Sequence, residues 1–151
     1  MTRSRRRRSS PVDPMVNVEL QIPARSPYVG VVRLALSSLA RTAGMDEEAL
    51  DDLKIAVSEA CANAVLAGEE AGSDEAITVH WIEDGERLMV DIADPSGSPP
   101  DPDAAELDTG GFSSRLVMSR ALLETLVDSC EIESVPTGGI RTRLVVNRPA
   151  G

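Results

Sequence analysis

At 151 residues the chain has the length of one domain with its own core. It is 42% hydrophobic but only 2% aromatic, so that core must be built from Val, Leu, Ile and Ala, and no apolar run approaches the ~20 residues that cross a bilayer. Five of the 15 basic residues fall in the first eight positions, so the remaining body sets ten basic residues against 25 acidic ones, a net of −15 that argues against nucleic acid as a direct partner.

Residues 1–14, "MTRSRRRRSSPVDP", read as a disordered basic arm, since nothing in them can be buried. The basic start leads into Pro and polar residues rather than an apolar stretch, so no signal peptide is visible and a cytoplasmic protein is expected. The domain proper is expected over 15–149. "VNVELQI" alternates in period two and predicts a strand over about 16–22. In "SPYVGVVRLALSSLARTAG", Ser26 is a good N-cap with Pro27 at the first helical position. Val31, Leu34 and Leu39 mark an apolar face, and Gly44 ends the helix. "MDEEALDDLKIAVSEACANAVLAGEEAG" is a second helix with acids in its first turns, closed by Gly72. Its core stripe is Leu50, Leu53, Val57, Ala60, Ala64 and Ala67.

"AITVHWIE" and "RLMVDIAD" predict two strands joined by the turn "DGE". The following "PSGSPPDPDAAELDTGG" is a loop of a length usually reserved for function. "FSSRLVMSRALLETLV" predicts a third helix, "DSCEIESV" a strand, "PTGG" a turn and "IRTRLVVN" a last strand. The order β, α, α, β, β, loop, α, β, β predicts an α+β fold. Two layers are expected, a mixed or antiparallel sheet with helices on one face. The other face is then open or covered by a second copy. Cys61 and Cys130 lack metal-ligand spacing and are expected to be buried free thiols, and the single His80 cannot complete a zinc site.

Within "VSEACANAV", Glu59 and Asn63 stack one turn apart at the edge of the core stripe, among small residues. A carboxylate there can accept a proton, and an amide oxygen can ligate a hard cation. Asp94 ends a strand and can accept from an amino group such as an adenine N6. Gly110 and Gly111 precede a helix, where backbone amides can approach phosphate.

The ordered set, Glu-x-x-x-Asn on a helix, Asp-x-x-Gly after a hairpin and Gly-Gly before a helix, resembles the histidine-kinase-like ATPase (GHKL) superfamily. Over about 16–148 it looks in particular like the anti-sigma factor serine kinases of the RsbW type. "LKIAVSEACANAV" follows that family's N-box. The resemblance implies that Glu59 is general base, that Asn63 binds the Mg²⁺ of ATP and that Asp94 contacts adenine. It also implies that Gly97, Gly110 and Gly111 belong to the glycine-rich lid; the family's adenine-side threonine position is held here by Ile140, with Thr142 on the same strand face two residues on as the candidate contact. Implied too are a homodimer, a sigma factor as partner, and an anti-sigma factor antagonist phosphorylated on serine. Arg33, set between apolar neighbours on the first helix, is then a candidate partner contact.

"DPSGS" carries one residue more before Gly97 than the family's Asp-x-Gly-x-Gly, and "GGFSSRLV" has adjacent glycines in place of Gly-x-Gly. A binding module of the same fold, sequestering a partner with little or no kinase activity, therefore stands as the alternative. A detached sensor-kinase domain is a third reading, disfavoured because no phosphoacceptor helix is present and His80 lies in a predicted strand.

Overall fold

The computed structural model describes residues 16–96 and 112–148, and of 112–115 the backbone alone. The basic arm and Gly97, Gly110 and Gly111 lie outside the described residues. Strand β1 (Val16–Ile22) leads through a 3-10 turn (Ser26–Tyr28) into α1 (Val29–Thr42) and then α2 (Glu47–Ala71). The hairpin β2 (Ile77–Glu83) and β3 (Arg87–Asp94) follows, then α3 (Phe112–Leu126), β4 (Ser129–Ser134) and β5 (Ile140–Asn147). The described strands form one sheet in the order β1-β2-β3-β5-β4, with every neighbouring pair antiparallel. This is the expected α+β two-layer fold, with its sheet antiparallel rather than mixed.

Local chemistry explains the element ends. The Asp46 carboxylate accepts from the Ala49 N–H at 2.8 Å and caps α2, with Glu47 and Glu48 in the favourable first turn. Gly72 closes the same helix in a left-handed conformation, φ 63°. At the hairpin, Gly85 has φ 91° and Asp84 Oδ1 accepts from the Glu86 and Arg87 amides. The hydrogen bond from the Arg87 amide is the main reason the Asp84 carboxyl is held below its ordinary range.

Two expectations for the first helix are corrected. Ser26 caps nothing: it opens the 3-10 turn, whose N-cap is Arg25, and α1 begins only at Val29. Pro27 fixes the turn's φ without carrying the backbone into α-helix. Val31 and Leu34 do not face the core, being 47% and 75% exposed. The buried stripe of α1 is Val29, Val32, Leu36 and Ala40, with Leu39 packed at its margin. The segment carries apolar residues on two faces, and packing on α2 selects the one whose 3,4,4 spacing runs continuously down the helix.

The core lies between the helical layer and one face of the sheet. The expected α2 stripe is buried throughout, widened by Ala56, Cys61, Val65 and Gly68. From the sheet come Ile77, Val79 and Trp81, then Leu88, Val90 and Ile92, and Leu144. Trp81 is 1% exposed, and its indole N–H donates to Glu83 Oε2 at 2.7 Å. Arg148 lies 3.6 Å from the other Glu83 oxygen and donates to the Ala43 carbonyl at 3.0 Å, so this buried carboxylate is paired. Both cysteines are buried and free.

Strand pairing sets Glu19, His80, Asp91, Arg143 and Glu131 in one row across the opposite sheet face. Arg143 grips Asp91 with two bonds of 2.7 Å, which raise the guanidinium pKa above its ordinary value. Ile82, Met89 and Val145 form a small apolar patch beside that row.

Candidate functional site

Helix α2 carries the central residues because its buried stripe fixes its rotation. With Ala60 and Ala64 held against the sheet, Asn63 is placed at the stripe's edge and half buried. Its Nδ2 donates to the Ser119 hydroxyl of α3 at 2.7 Å. Ser119 is only 4% exposed. Asn63, Asp94 and Thr142 line one cleft between α2, α3 and the sheet, with Ala60, Ala64, Ile92, Leu116 and Ile140 as its apolar walls. A polar group at each margin of an apolar slot is the composition of a small-molecule site.

The cleft is narrow. Its volume is about 20 Å³, room for one water, so a purine enters only when α2 and α3 part or side chains withdraw. A larger hollow of about 400 Å³ adjoins Asp94 and reaches the opposite sheet face through Thr78, Ala93 and Gln21. It shares Asp94 and Ile140 with the cleft but does not include Asn63.

Asp94 is 7% exposed at the end of β3, and its Oδ1 accepts from the Ser96 amide at 2.9 Å. The turn-capping role therefore exists alongside its place in the cleft. A second contact fixes this corner. Gly139 has φ 91°, and a Cβ on it would press into the Asp94 carbonyl oxygen and stand 2.7 Å from Pro95 Cα. Only glycine meets both demands. Cross-strand pairing puts Ile140 opposite Asp94 and Thr142 opposite Ile92, so both β5 residues face the cleft.

Glu59 lies one turn before Asn63 but lines a different recess. It borders an open groove of about 680 Å³ between α1 and α2, together with Arg33, Asp51, Lys54, Ile55 and Ser58. The Arg33 guanidinium donates to Ser58 Oγ at 3.2 Å. The structure thus brings the proposed base and the proposed partner contact into one groove, beside the cleft that holds Asn63 and Asp94. Sequence spacing linked Glu59 to Asn63 and left Arg33 unconnected to either.

Ser119 and Gly139 are the two residues that sequence reading missed. Ser119 lies 56 positions from the amide it touches, so no local spacing could reveal it. Gly139 was read as part of a turn, and its positive φ suits one, but its approach to Asp94 is purely tertiary.

An Mg²⁺ ion fits this donor set in one respect. It typically takes one or two protein oxygens and fills its remaining positions with phosphate and water, and the Asn63 carboxamide can supply such an oxygen. Among the described residues, no group of three or more His, Cys, Asp or Glu could hold a metal alone. No helix among them is long and apolar enough to cross a membrane.

Residues 22–145 match the family of histidine kinase-like ATPase domains. The serine-protein kinase RsbW of Bacillus pumilus (strain SAFR-032) is 35% identical over 127 residues, with 78% of each chain covered. That of Bacillus subtilis (strain 168) is 32% identical over 125 residues, again with 78% of each covered. The serine-protein kinase RsbW of Listeria monocytogenes (serotype 4b, strain F2365) is 43% identical over 77 residues, 51% of this chain and 49% of that one. The crystal structure of the RsbU and RsbW domains of Rv1364c from Mycobacterium tuberculosis superposes with a TM-score of 0.65 at 22% identity. It covers 89% of this chain and 34% of that longer one, a likeness of fold.

Proposed function

The chain belongs to the histidine kinase-like ATPase family, alongside relatives named serine-protein kinase RsbW, and from that membership we propose that it is an ATP-dependent protein serine kinase and an anti-sigma factor. In this reading it binds a sigma factor and phosphorylates a serine of an anti-sigma factor antagonist, working in the cytoplasm as a homodimer. The observation that carries the reading is the meeting of Asn63 and Asp94 in one cleft, with Glu59 one turn away on the same helix.

The chain's residues divide the work by position. Asp94, buried at the strand end, accepts from the adenine amino group, while Ile92, Ala60 and Ala64 give the ring an apolar bed. Asn63 presents its amide oxygen toward magnesium, and Thr142 lines the cleft beside Ile140. Gly97, Gly110 and Gly111, which lie outside the described residues, are the candidates for contact with the phosphates. Bound Mg-ATP supplies the phosphoryl group and the charge neutralisation its transfer needs. Glu59, half buried and open to the α1–α2 groove, takes the proton from a serine hydroxyl delivered there. Arg33, above the same groove, pairs with a carboxylate of the partner.

A second reading is favoured by the cleft's size. With about 20 Å³ open, the fold can act as a module that sequesters its partner with little nucleotide turnover. Calorimetric titration with ATP at a series of Mg²⁺ concentrations, on wild type, Asn63→Ala and Asp94→Ala, separates the two. The kinase reading expects Mg²⁺-dependent binding that both substitutions weaken at least tenfold. Wild type that takes up no nucleotide supports the module and removes the kinase.

A further inference from the structure

We infer that Ser119 is a positioning residue that turns the Asn63 carboxamide so that its oxygen, not its nitrogen, faces the metal. The inference rests on the reading of the cleft as an Mg-ATP site and names a residue of α3 that this reading does not need. A side-chain amide has two ends of nearly equal shape and opposite character, and its last torsion is broad and two-fold. Left alone, Asn63 would present Nδ2 to a cation as readily as Oδ1, and an N–H dipole repels Mg²⁺.

The Ser119 hydroxyl, which can donate or accept, gives the nitrogen end of the amide a partner and leaves Oδ1 to the cation. It is 4% exposed and stands 2.7 Å from Nδ2, so it receives the amide hydrogen and holds the carboxamide plane. Oδ1 is then directed away from Ser119. The reverse pairing, with the hydroxyl donating to Oδ1, would spend the metal-binding oxygen and offer the cation an N–H. A bound cation therefore selects the arrangement in which Ser119 accepts.

Leu116, one turn earlier on α3, and Ala60, Ala64 and Ile92 are apolar walls of the cleft, which Asp94 and Thr142 also line, and the bond the Asn63 amide makes is to Ser119. Residues that orient a metal ligand through one hydrogen bond typically change metal affinity about 10–100-fold when lost. The same contact joins α2 to α3, so loading the metal and seating α3 share a hydrogen bond.

The test is metal binding rather than turnover. Mn²⁺ uptake in the presence of ATP is followed by electron paramagnetic resonance, and Mg²⁺ half-saturation by calorimetry. Wild type is compared with Ser119→Ala, Ser119→Thr and Asn63→Ala, and thermal melting is recorded for each. Ser119→Ala is expected to raise the Mg²⁺ and Mn²⁺ half-saturation at least tenfold, with metal-free ATP binding in EDTA unchanged. Ser119→Thr, which keeps the hydroxyl, is expected to stay within about threefold of wild type. If Ser119→Ala loses its cooperative melt, Ser119→Cys carries the same expectation, because its sulfur is only a weak acceptor. Should Asn63→Ala shift the metal requirement while Ser119→Ala and Ser119→Cys match wild type, the role of Ser119 is overturned and the nucleotide site stands. Should wild type show no metal-dependent ATP binding, the reading of the cleft fails, and the inference with it.

Discussion

Arg33 reaches from α1 to α2 and donates to Ser58 Oγ at 3.2 Å, which sets its guanidinium in the groove that Glu59 also lines. A cation on the first helix and a carboxylate on the second therefore border one groove. A partner that pairs with Arg33 would lay its neighbouring residues toward Glu59. Recognition and phosphotransfer in this reading share a surface, which makes their substitutions separable in a defined way.

Arg33→Glu should weaken the sigma factor complex about tenfold or more, since it reverses the charge offered to a partner carboxylate. ATP affinity should stay within about threefold, because Arg33 is not among the residues that line the Asn63–Asp94 cleft. Pull-down of the sigma factor alongside nucleotide calorimetry checks both. A variant that holds its sigma factor at wild-type strength makes Arg33 an ordinary groove residue tethered to Ser58.

Glu59→Gln keeps the side chain's size at a half-buried position, so its melting temperature should barely move. Serine phosphorylation of the antagonist should fall about 10²–10⁴-fold, the usual cost of losing a general base. Phosphate transfer measured under single-turnover conditions decides it, and an unchanged rate would take Glu59 out of the mechanism.

Gly139→Ala should be among the most damaging single-methyl changes in the domain. The new Cβ meets the Asp94 carbonyl and Pro95, and φ 91° is strained for any L residue. Strain of this kind costs about 1–3 kcal/mol before the steric clash is added. Chemical denaturation should show that loss, and nucleotide affinity should drop with it because Asp94 is displaced. Gly85→Ala, with the same φ but open space around it, is the control: stability lost, nucleotide binding kept.

Alkaline pH should destabilise the protein through its thiols. Burial pushes Cys61 from 9.0 up to about 12, against a smaller downward pull from Arg33, and burial raises Cys130 as well. A folded pKa above the unfolded one gives stability that is complete below pH 9 and declines as pH rises toward the folded value. Each pH unit in that window removes about 1.4 kcal/mol per fully shifted thiol. Cys61→Ala should show a shallower fall in stability between pH 8.5 and pH 10.5, whatever its stability at pH 7. Equal slopes in the two proteins would show that Cys61 ionises no harder folded than unfolded.

Much of the fold is legible in local pattern. Period-two alternation marked β1 over about 16–22, the segment "IRTRLVVN" coincides with β5, and Asp84–Gly85 marked the β2–β3 turn. Gly44 and Gly72 ended their helices through positive φ, and every residue read into the α2 stripe is buried. These features depend on neighbours within a turn or a strand pair, so a sequence carries them whole. Asn63 and Asp94 were legible as candidates for a related reason, being polar residues at the margins of otherwise apolar elements.

Tertiary packing decided what periodicity leaves open. The segment "GVVRLALSSLA" has apolar residues on two faces of a helix, and only contact with α2 buries Val32 and Leu36 while exposing Val31 and Leu34. The bond between Asn63 and Ser119, the seat of Gly139 on Asp94 and the approach of Arg33 to Ser58 each join distant segments. A hydrogen bond or a steric contact depends on distances of a few ångströms, and those are set by how helices cross and strands register, which no spacing along the chain encodes.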